Sequence, residues 1–266
     1  MTANGGGRRA LVTGASSGLG AVFARRLAAR GYDLVLAARR RDRLESLAGE
    51  LAAEHGVRAT AAAADLGAPG GAAALADAVL AEGGVDLLVN NAGAGKGGAF
   101  TDIPLDEHLA TLQLNMASLT ELTWRLLPSV RERRGGVINV ASTAGFQPLG
   151  YHAVYAASKA YVLHFTEALA EELRGEVQVC AVCPGPTETE FAAVNLPGSQ
   201  LPPLPKFVVQ SAEEVVDEGL AGFDAGRVVV VTGLGNRIGA FMSGLAPRAL
   251  VRRTTAQMYK RVFHRA

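Results

Sequence analysis

Strand-like and helix-like segments alternate along nearly the whole chain of 266 residues, and this alternation restricts the fold more than any other feature. The seven apolar runs span residues 10–12, 34–38, 57–64, 85–90, 137–141, 177–183 and 228–231. The six longer amphipathic runs between them span residues 18–30, 42–55, 71–82, 104–133, 151–174 and 212–225. Apolar strands that alternate with helices form parallel sheets buried on both faces. The sequence therefore predicts a doubly wound α/β fold, with a parallel sheet of seven strands between two layers of helices.

No linker or block of like charge divides the sequence, which predicts a single domain. Residues 1–7 are polar and rich in glycine and lack the apolar core of a signal peptide, so we expect a disordered lead-in. The domain then spans residues 8–240, and residues 241–266 form a basic amphipathic extension. The formal net charge of +1 gives no reason to expect a nucleic-acid partner. No apolar run is long enough to predict a membrane span.

Two cysteines, Cys180 and Cys183, lie three residues apart in a predicted strand. Residues at this spacing point to opposite faces of a sheet, so the two thiols are poorly placed to share a metal ion or a disulfide. We expect core cysteines in a reduced, cytoplasmic protein, and no metal site. Ser211 and Glu214 form the pattern of a capping box, which predicts the start of the last helix before the seventh strand.

Two glycine-rich stretches follow apolar strands, TGASSGLG at 13–20 and TGLGNRIG at 232–239. The first lies between the first strand and the first helix, where backbone N–H groups bind the phosphates of a dinucleotide. Its glycines are suited to a tight turn, close approach of the pyrophosphate and helix packing, and its two serines offer hydroxyls: Gly14, Gly18, Gly20, Ser16 and Ser17. The second stretch comes too late for a further strand, so we predict that its glycines turn the chain into the basic extension.

The second predicted strand ends in three arginines, at 39–41. Dinucleotide sites that prefer NAD carry an acidic residue at this point, which accepts hydrogen bonds from the adenosine ribose. An arginine here can instead form a bidentate pair with a ribose phosphate. The pattern therefore favours NADP over NAD, with Arg39 and Arg40 as the phosphate ligands. Arg41 and Arg43 are expected only to open the next helix in solvent.

Three side chains form a candidate catalytic group. Ser142 ends the fifth predicted strand, while Tyr155 and Lys159 are four residues apart and so share one helix face. A tyrosine hydroxyl has an ordinary pKa of about 10, and a nearby ammonium lowers it toward the range that suits a general acid. We therefore expect Lys159 to lower the pKa of Tyr155, and Ser142 to hydrogen-bond the substrate oxygen. His152, three residues before Tyr155, is either a second acid or, as we favour, part of the pocket wall.

From the glycine loop to the last strand, the chain resembles the short-chain dehydrogenase/reductase family. The pieces that match, in order, are TGASSGLG, Asp65, NNAG at 90–93, Asn115, Ser142, YAASK at 155–159 and Pro184 with Gly185. The resemblance implies a Rossmann-type fold, a water held by Asn115 in a proton relay, and contacts from Lys159 to the nicotinamide ribose hydroxyls. It also implies that Asp65 contacts the adenine, that Asn90 to Gly93 line the cofactor and that Thr189 binds the nicotinamide carboxamide. The full set expected to bind cofactor is Gly14, Ser16, Ser17, Gly18, Leu19, Gly20, Arg39, Arg40, Asp65, Leu66, Asn91, Ala92, Gly93, Tyr155, Lys159, Pro184, Gly185, Thr187 and Thr189.

These features predict an NADP(H)-dependent carbonyl reductase or alcohol dehydrogenase. Residues 185–210 are apolar, rich in proline and without periodicity, which is typical of a lid and favours a lipophilic ketone or alcohol. A non-catalytic NADP-binding sensor or scaffold is the alternative, and a sugar epimerase or dehydratase is disfavoured by the short chain. The resemblance also implies a homodimer or homotetramer that associates through the helices predicted at 104–133 and 151–174.

The basic extension has apolar positions at helical spacing, namely Leu245, Leu250, Val251, Met258, Val262 and Phe263. It could cap the subunit, pack on a neighbour or contact an anionic membrane. We favour packing over membrane contact. The histidines other than His152 have no partner pattern, and we expect them in solvent.

Overall fold

The protein is a seven-stranded parallel sheet with helices on both faces, in a computed structural model that describes residues 7–195 and 208–263. The strands are β1 (Arg9–Thr13), β2 (Asp33–Ala38), β3 (Ala59–Ala63), β4 (Leu87–Asn90), β5 (Gly136–Val140), β6 (Gln178–Cys183) and β7 (Val229–Val231). Their order across the sheet is β3-β2-β1-β4-β5-β6-β7, and every pair is parallel. The order reverses between β1 and β4, so the carboxyl ends of these strands flank the crevice where such folds bind ligands. All seven predicted strands are confirmed.

Ten α-helices occur in the described part of the chain. They are α1 (Gly18–Ala29), α2 (Arg41–His55), α3 (Gly71–Ala81), α4 (Leu105–Leu112), α5 (Leu119–Glu132), α6 (Ala153–Glu172), α7 (Glu190–Asn195), α8 (Ala212–Asp224), α9 (Leu234–Leu245) and α10 (Arg248–Phe263). Helices α1, α2 and α8 pack in one hydrophobic layer, and α3, α5 and α6 pack in the other. The capping box of Ser211 and Glu214 starts α8 as predicted.

The long helix predicted at residues 104–133 is interrupted. A π-helical turn, residues 113–118, joins α4 to α5. Such turns occur mostly as single insertions at functional sites. Ser118 at its end is fully buried and donates a hydrogen bond to the Leu66 carbonyl oxygen at 2.5 Å. The insertion therefore joins this helix to the loop that follows β3.

Both cysteines are buried in β6 as free thiols, in agreement with the sequence analysis. Burial raises the pKa of the Cys180 thiol to about 12 and raises that of Cys183 further. The expectation that the histidines other than His152 lie in solvent is wrong for His108. That residue is 7% exposed, shares a hydrogen bond with the Phe100 carbonyl oxygen at 3.0 Å and stacks on the Phe100 ring.

The late glycine stretch differs from its prediction. Only Gly233 makes a turn, with a φ of 77°, and α9 begins at the next residue. Gly235 and Gly239 lie inside this helix, so the prediction that all three glycines free the chain to turn is wrong. None of the described helices combines the length and the hydrophobicity needed to cross a bilayer.

The basic extension forms α10, which packs on its own subunit. Thr255 donates a hydrogen bond to the Pro148 carbonyl oxygen at 2.9 Å, and Gly150 lies directly against Ala256. The helix and its packing were both expected. Val251 and Thr255 are buried on its packed face, whereas Leu245, Leu250 and Met258 are 48–66% exposed. The side chains of Val262 and Phe263 lie outside the described part of the structure.

Candidate active site

The loop between β1 and α1 is shaped to hold an anion. Gly14 and Gly18 have positive φ angles of 67° and 53°, which favour glycine. A Cβ atom at Gly14 would lie 2.7 Å from the Asn91 amide nitrogen, and one at Gly20 would overlap the Gly14 carbonyl oxygen. Ser17 precedes α1 without capping its free N–H groups through a side-chain hydrogen bond. These donors remain for a ligand, as pyrophosphate binding requires.

Arg40 links this loop to two neighbouring segments. Its guanidinium donates hydrogen bonds to Ser16 Oγ at 3.0 and 3.2 Å and to Ser17 Oγ at 2.7 Å. It also forms an ion pair with Glu190 at 3.1 Å. Arg43 pairs with the same carboxyl at 2.9 Å. Together the two arginines hold the pKa of Glu190 below its usual range.

The other arginines after β2 behave differently. Arg39 is exposed and has no hydrogen bond or ion pair with any residue in 7–195 or 208–263. Arg41 forms an exposed ion pair with Glu45 within α2, as expected of a solvated helix start. Arg43, expected to do the same, instead reaches Glu190 on α7. The sequence analysis missed Glu190, since it lies in a segment without periodicity.

The predicted cofactor residues after β3 and β4 lie at the same edge of the sheet. Asn91 donates from its side chain to the Thr13 carbonyl oxygen at 2.8 Å, and the backbone N–H groups of Asn91 and Ala92 donate to the Thr13 hydroxyl at 3.0 Å. These bonds fix the segment up to Gly93 beside the glycine loop. Asp65 is exposed and accepts a hydrogen bond from the Gly67 N–H, while the next residue, Leu66, is buried.

Ser142, Tyr155 and Lys159 come together between β5 and α6. Tyr155 lies close enough to Ser142 for that side chain to lower its pKa, and the Ser142 Oγ accepts a hydrogen bond from the Ala144 N–H at 3.1 Å. Lys159 is 5% exposed and donates to the Val140 carbonyl oxygen at 2.8 Å. All three predicted side chains therefore converge on one place.

The pKa prediction for the tyrosine is wrong. Burial raises the pKa of Tyr155 to about 12, although the nearby Ser142 side chain opposes this. The Lys159 ammonium lies 5.9 Å from the centre of the Tyr155 ring and is directed to Val140, so it does not produce the expected lowering. Burial lowers the pKa of Lys159 itself to about 8. At neutral pH the tyrosine is therefore protonated, and the lysine is mostly charged.

Asn115 reaches this group from the π-helical turn. It pairs with the backbone of Ala94 in both directions, accepting from the N–H at 3.0 Å and donating to the carbonyl oxygen at 2.8 Å. It also donates to Ser158, which in turn donates to the Tyr155 carbonyl oxygen. A Cβ atom at Gly93 would lie 3.3 Å from both Asn115 and Lys159. Ser158 was missed, although it lies within YAASK, because nothing in its type or spacing indicates a role.

The segment after β6 crosses the mouth of the crevice. Pro184 accepts a hydrogen bond from the Ser142 hydroxyl at 3.4 Å, and Thr187 donates to the Gly185 carbonyl oxygen at 3.0 Å. Thr189 lies close enough to Gly18 that a Cβ atom there would be 3.4 Å from its methyl group. Residues 196–207 of the predicted lid lie outside the described residues.

Helix α7 closes the described part of this segment over the catalytic group. The Phe191 ring lies 5.6 Å from the Tyr155 ring. At the other end of the helix, the buried Asn195 accepts a hydrogen bond from the Gly95 N–H at 2.9 Å. A side chain at Gly95 would overlap the Tyr155 ring, so the loop needs glycine there. Asn195 was also missed, for the same reason as Glu190.

A wall of rings stands beside Tyr155. His152 stacks on it with 4.7 Å between ring centres, and Tyr259 of α10 lies 5.8 Å from His152. His152 shares a hydrogen bond through Nε2 with the Gly95 carbonyl oxygen, and burial lowers its pKa. An uncharged, buried histidine suits a pocket wall better than an acid, in line with the favoured interpretation.

Comparisons with known proteins agree with this geometry. The family model described as short chain dehydrogenase matches residues 8–198. A putative ketoacyl reductase of the granaticin polyketide synthase, from Streptomyces violaceoruber, is 42% identical over 188 residues, which are 69% of this chain and 69% of that protein.

Solved structures of similar proteins include two with bound nucleotide. A short-chain dehydrogenase from Sphingobium yanoikuyae in complex with NADPH is 35% identical, with a TM-score of 0.80 over 90% of this chain and 93% of that one. A short-chain dehydrogenase/reductase from Burkholderia phymatum in complex with NAD is 26% identical, with a TM-score of 0.77 over 89% of this chain and 92% of that one.

Proposed function

The chain belongs to the short-chain dehydrogenase family and is an oxidoreductase acting on alcohols or ketones, and from this premise we propose that it is an NADPH-dependent reductase of lipophilic ketones. The observation that carries the proposal is the protonated Tyr155 hydroxyl beside Ser142, with Lys159 behind it. Reduction of a ketone needs a proton donor at the carbonyl oxygen, whereas oxidation of an alcohol needs an acceptor there. The protonated Tyr155 hydroxyl can serve as that proton donor.

Each residue of the site has a separate role in the proposed reduction. When bound, the nicotinamide dinucleotide supplies the hydride. Ser142 donates a hydrogen bond to the substrate carbonyl oxygen as negative charge develops on it, and Tyr155 donates its proton to that oxygen. Lys159 keeps a positive charge near the reacting oxygen in a site of low polarity, where charge interactions are strong. Asn115 holds the loop at Ala94, beside the lysine.

The groove along the carboxyl ends of β1 to β4 fits a dinucleotide. The uncapped start of α1 and the bare glycines would hold the pyrophosphate, and the Asn91–Gly93 segment would lie along the nicotinamide half. We expect Asp65 and Leu66 near the adenine, and Thr187 and Thr189 near the carboxamide. The position of these residues along the groove beside the catalytic group supports this assignment.

NADP is the preferred cofactor in this proposal, with Arg39 and Arg40 at the ribose phosphate. Arg40 already contacts the hydroxyls of Ser16 and Ser17, so a phosphate between them would be bound by a guanidinium and two hydroxyls. No carboxylate follows β2 at the ribose position. Glu190 is the competing anion, because it pairs with the same guanidinium. The similar structures include complexes with NADPH and with NAD, so the preference has to be measured.

A lipophilic ketone is the proposed substrate class. Phe191, His152 and Tyr259 present rings around Tyr155, which suits apolar or flat molecules. The similar granaticin protein is a putative ketoacyl reductase, which also points to a carbonyl on an apolar chain. We place the enzyme in the cytoplasm.

We further propose a homodimer or homotetramer that uses the α4–α5 and α6 surface. Large apolar side chains are exposed on α4 and α5, with Leu105 at 68%, Leu109 at 55% and Trp124 at 75% exposure. A shallow groove continues from this surface to Tyr161 on α6. An apolar surface of this kind is typical of subunit contacts.

Replacement of Tyr155 by phenylalanine tests the reaction. The variant should lose turnover of NADPH with a panel of ketones by a factor of about 10² to 10⁴, since it lacks the acid. Its NADPH dissociation constant should stay within threefold of the wild-type value. A variant with activity within tenfold of wild type would refute the mechanism. If the wild type itself binds NADPH but reduces no ketone in a panel of varied polarity, the non-catalytic sensor or scaffold is the correct interpretation.

A further inference from the structure

Charge is distributed very unevenly along this chain. The last 35 residues, 232–266, contain seven of the 26 Lys and Arg residues and none of the 25 Asp and Glu residues. The remaining 231 residues therefore have 19 basic and 25 acidic side chains, a net charge of −6, against +7 for the C-terminal segment. A protein with a formal net charge of only +1 thus carries all of its positive excess in α9, α10 and their flanks. An uneven distribution of this kind orients a molecule toward an anionic surface.

Helix α9 adds an apolar stripe to this segment. Leu234, Ile238, Phe241, Met242 and Leu245 recur at spacings of three and four, which places them on one face of the helix. They are 53–72% exposed, so this face is not covered by the rest of the described subunit. Leu250, just after the turn into α10, is another large apolar residue with 56% exposure. Several such residues together form a patch that marks an interaction site.

The opposite side of α9 is firmly attached to the domain. Asn236 is 7% exposed and donates hydrogen bonds to the carbonyl oxygens of Thr232 at 3.0 Å and Val208 at 3.2 Å. Arg237 forms an ion pair with Glu218 on α8 at 2.6 Å. Because polar anchors fix the helix, the apolar stripe is not needed to hold it in place.

Helix α10 supplies basic side chains that form no ion pair within the described part of the subunit. Its inner face packs through Val251 and Thr255. Arg252, Arg253 and Lys260 are exposed, and none of them forms an ion pair with a residue in the described ranges. An apolar helix face followed along the chain by exposed basic side chains is the pattern of a segment that lies in the interface of an anionic bilayer.

We propose that α9 and α10 form a docking surface for anionic lipid bilayers. The α9 stripe enters the boundary between headgroups and acyl chains, and the basic side chains of α10 contact the phosphates. A second copy of the chain is a poorer occupant, because a twofold contact sets the same patch against itself and would bring two acid-free, basic segments together. The surface predicts peripheral binding and does not depend on the reductase activity.

Vesicle flotation with the full-length protein tests this surface. Wild-type protein should float with vesicles of phosphatidylcholine containing 30% phosphatidylglycerol, and at least tenfold less with vesicles of phosphatidylcholine alone. The double variant Phe241→Ser with Leu245→Ser should lose at least tenfold of this binding, as should Arg252→Glu with Arg253→Glu. The control is Phe100→Ser with Leu80→Ser, a Phe at 61% and a Leu at 40% exposure outside α9, α10 and the α4–α5 surface, which should bind like the wild type.

The possible outcomes distinguish the occupants. Absence of wild-type flotation with the anionic vesicles, or equal flotation of the α9 variant, would overturn the proposal. A fall in mass of the α9 variant by light scattering, with flotation unchanged, would assign the stripe to a contact between copies. Unfolding of the variants is checked by their melting temperatures and by NADPH binding. A wild type that floats but reduces no ketone would contradict the proposed function and leave the docking surface intact.

Discussion

Replacement of Lys159 by methionine should abolish activity and yet stabilise the protein at neutral pH. The ammonium is 5% exposed, and its one hydrogen bond to the described residues is to the Val140 carbonyl oxygen. Burial lowers the pKa of Lys159 from 10.5 to about 8. At about 1.4 kcal/mol for each tenfold change in proton affinity, the folded state pays about 3 kcal/mol to keep this group charged. Methionine has a similar length and no charge, so it removes this cost.

The expected gain is smaller than the full cost. Losing the hydrogen bond to Val140 costs about 1 kcal/mol, which leaves a net stabilisation of about 2 kcal/mol. For a chain of this size each kcal/mol corresponds to about 2–4 °C, so the melting temperature should rise by about 4–8 °C at pH 7. The measurement is differential scanning fluorimetry or calorimetry without nucleotide, with NADPH turnover measured in parallel.

The pH dependence gives a sharper test of the cause. Below pH 8 the lysine is charged in both folded and unfolded chains, and the full cost is present. Between pH 8 and 10.5 the folded chain has released the proton while the unfolded chain still holds it, so wild-type stability gains on the variant as the pH rises. The advantage of the variant in melting temperature should therefore shrink and then reverse, until the variant melts slightly below the wild type because it lacks the Val140 hydrogen bond. Burial keeps the pKa of the Cys180 and Cys183 thiols well above 10.5 in the folded chain, so neither ionises in this range and their contribution cancels, although the Lys159 charge lowers the pKa of Cys183.

Lys96 provides the matched control. It is 37% exposed and pairs with Glu107 at 3.1 Å, so Lys96→Met should change stability by less than about 1 kcal/mol, with no dependence on pH in this range. A Lys159→Met protein that melts at or below the wild-type temperature at pH 7 would refute the reasoning. A stabilisation that stays constant up to pH 10.5 would show that packing, and not the buried charge, is its cause.

Three further predictions concern the cofactor and the assembly. Arg39→Asp and Arg40→Asp should each shift the ratio of kcat/KM toward NADH by at least tenfold, and a variant with an unchanged ratio would remove that arginine from the phosphate site. Glu190→Gln should lower the KM for NADPH about two- to fivefold without changing the KM for NADH, because the competing carboxylate is gone. Glu45→Gln is its control, and equal effects on both nucleotides would contradict the competition. Trp124→Asp should convert the oligomer to a smaller species by light scattering, whereas an unchanged mass would exclude the α4–α5 surface as a contact.

The strands and the catalytic group were predictable because each depends on local pattern. A strand buried on both faces must be apolar throughout, as in β4 and β5, so its sequence marks it directly. The helical repeat places Tyr155 and Lys159 on one face of a helix. The position of Ser142 follows from the end of its strand. The π-helical turn at 113–118 could not be predicted from local pattern, because one inserted residue barely alters an amphipathic pattern.

The features that the sequence did not reveal depend on what surrounds a residue. The pKa of Tyr155 rises because the site is buried and Lys159 is directed to Val140, and neither fact follows from a spacing of four. The sequence indicated that α10 packs, but not which of its side chains are buried. In the structure a threonine, Thr255, is buried, while Leu250 is exposed. The roles of Glu190 and Asn195 depend on α7 crossing the crevice, which no sequence pattern indicates.

The contact of α10 with the loop at Pro148 and His152 joins two parts of the chain, one that the family model matches and one that lies beyond it. The proposed reacting groups lie within residues 8–198, the stretch that the family model matches. Tyr259, which completes the ring wall beside His152, lies some sixty residues beyond that stretch. Two enzymes can therefore agree in every reacting group and still differ in which molecules they admit. For this protein, exchange of the last helix between relatives is the shortest route to a changed substrate range with the reaction preserved.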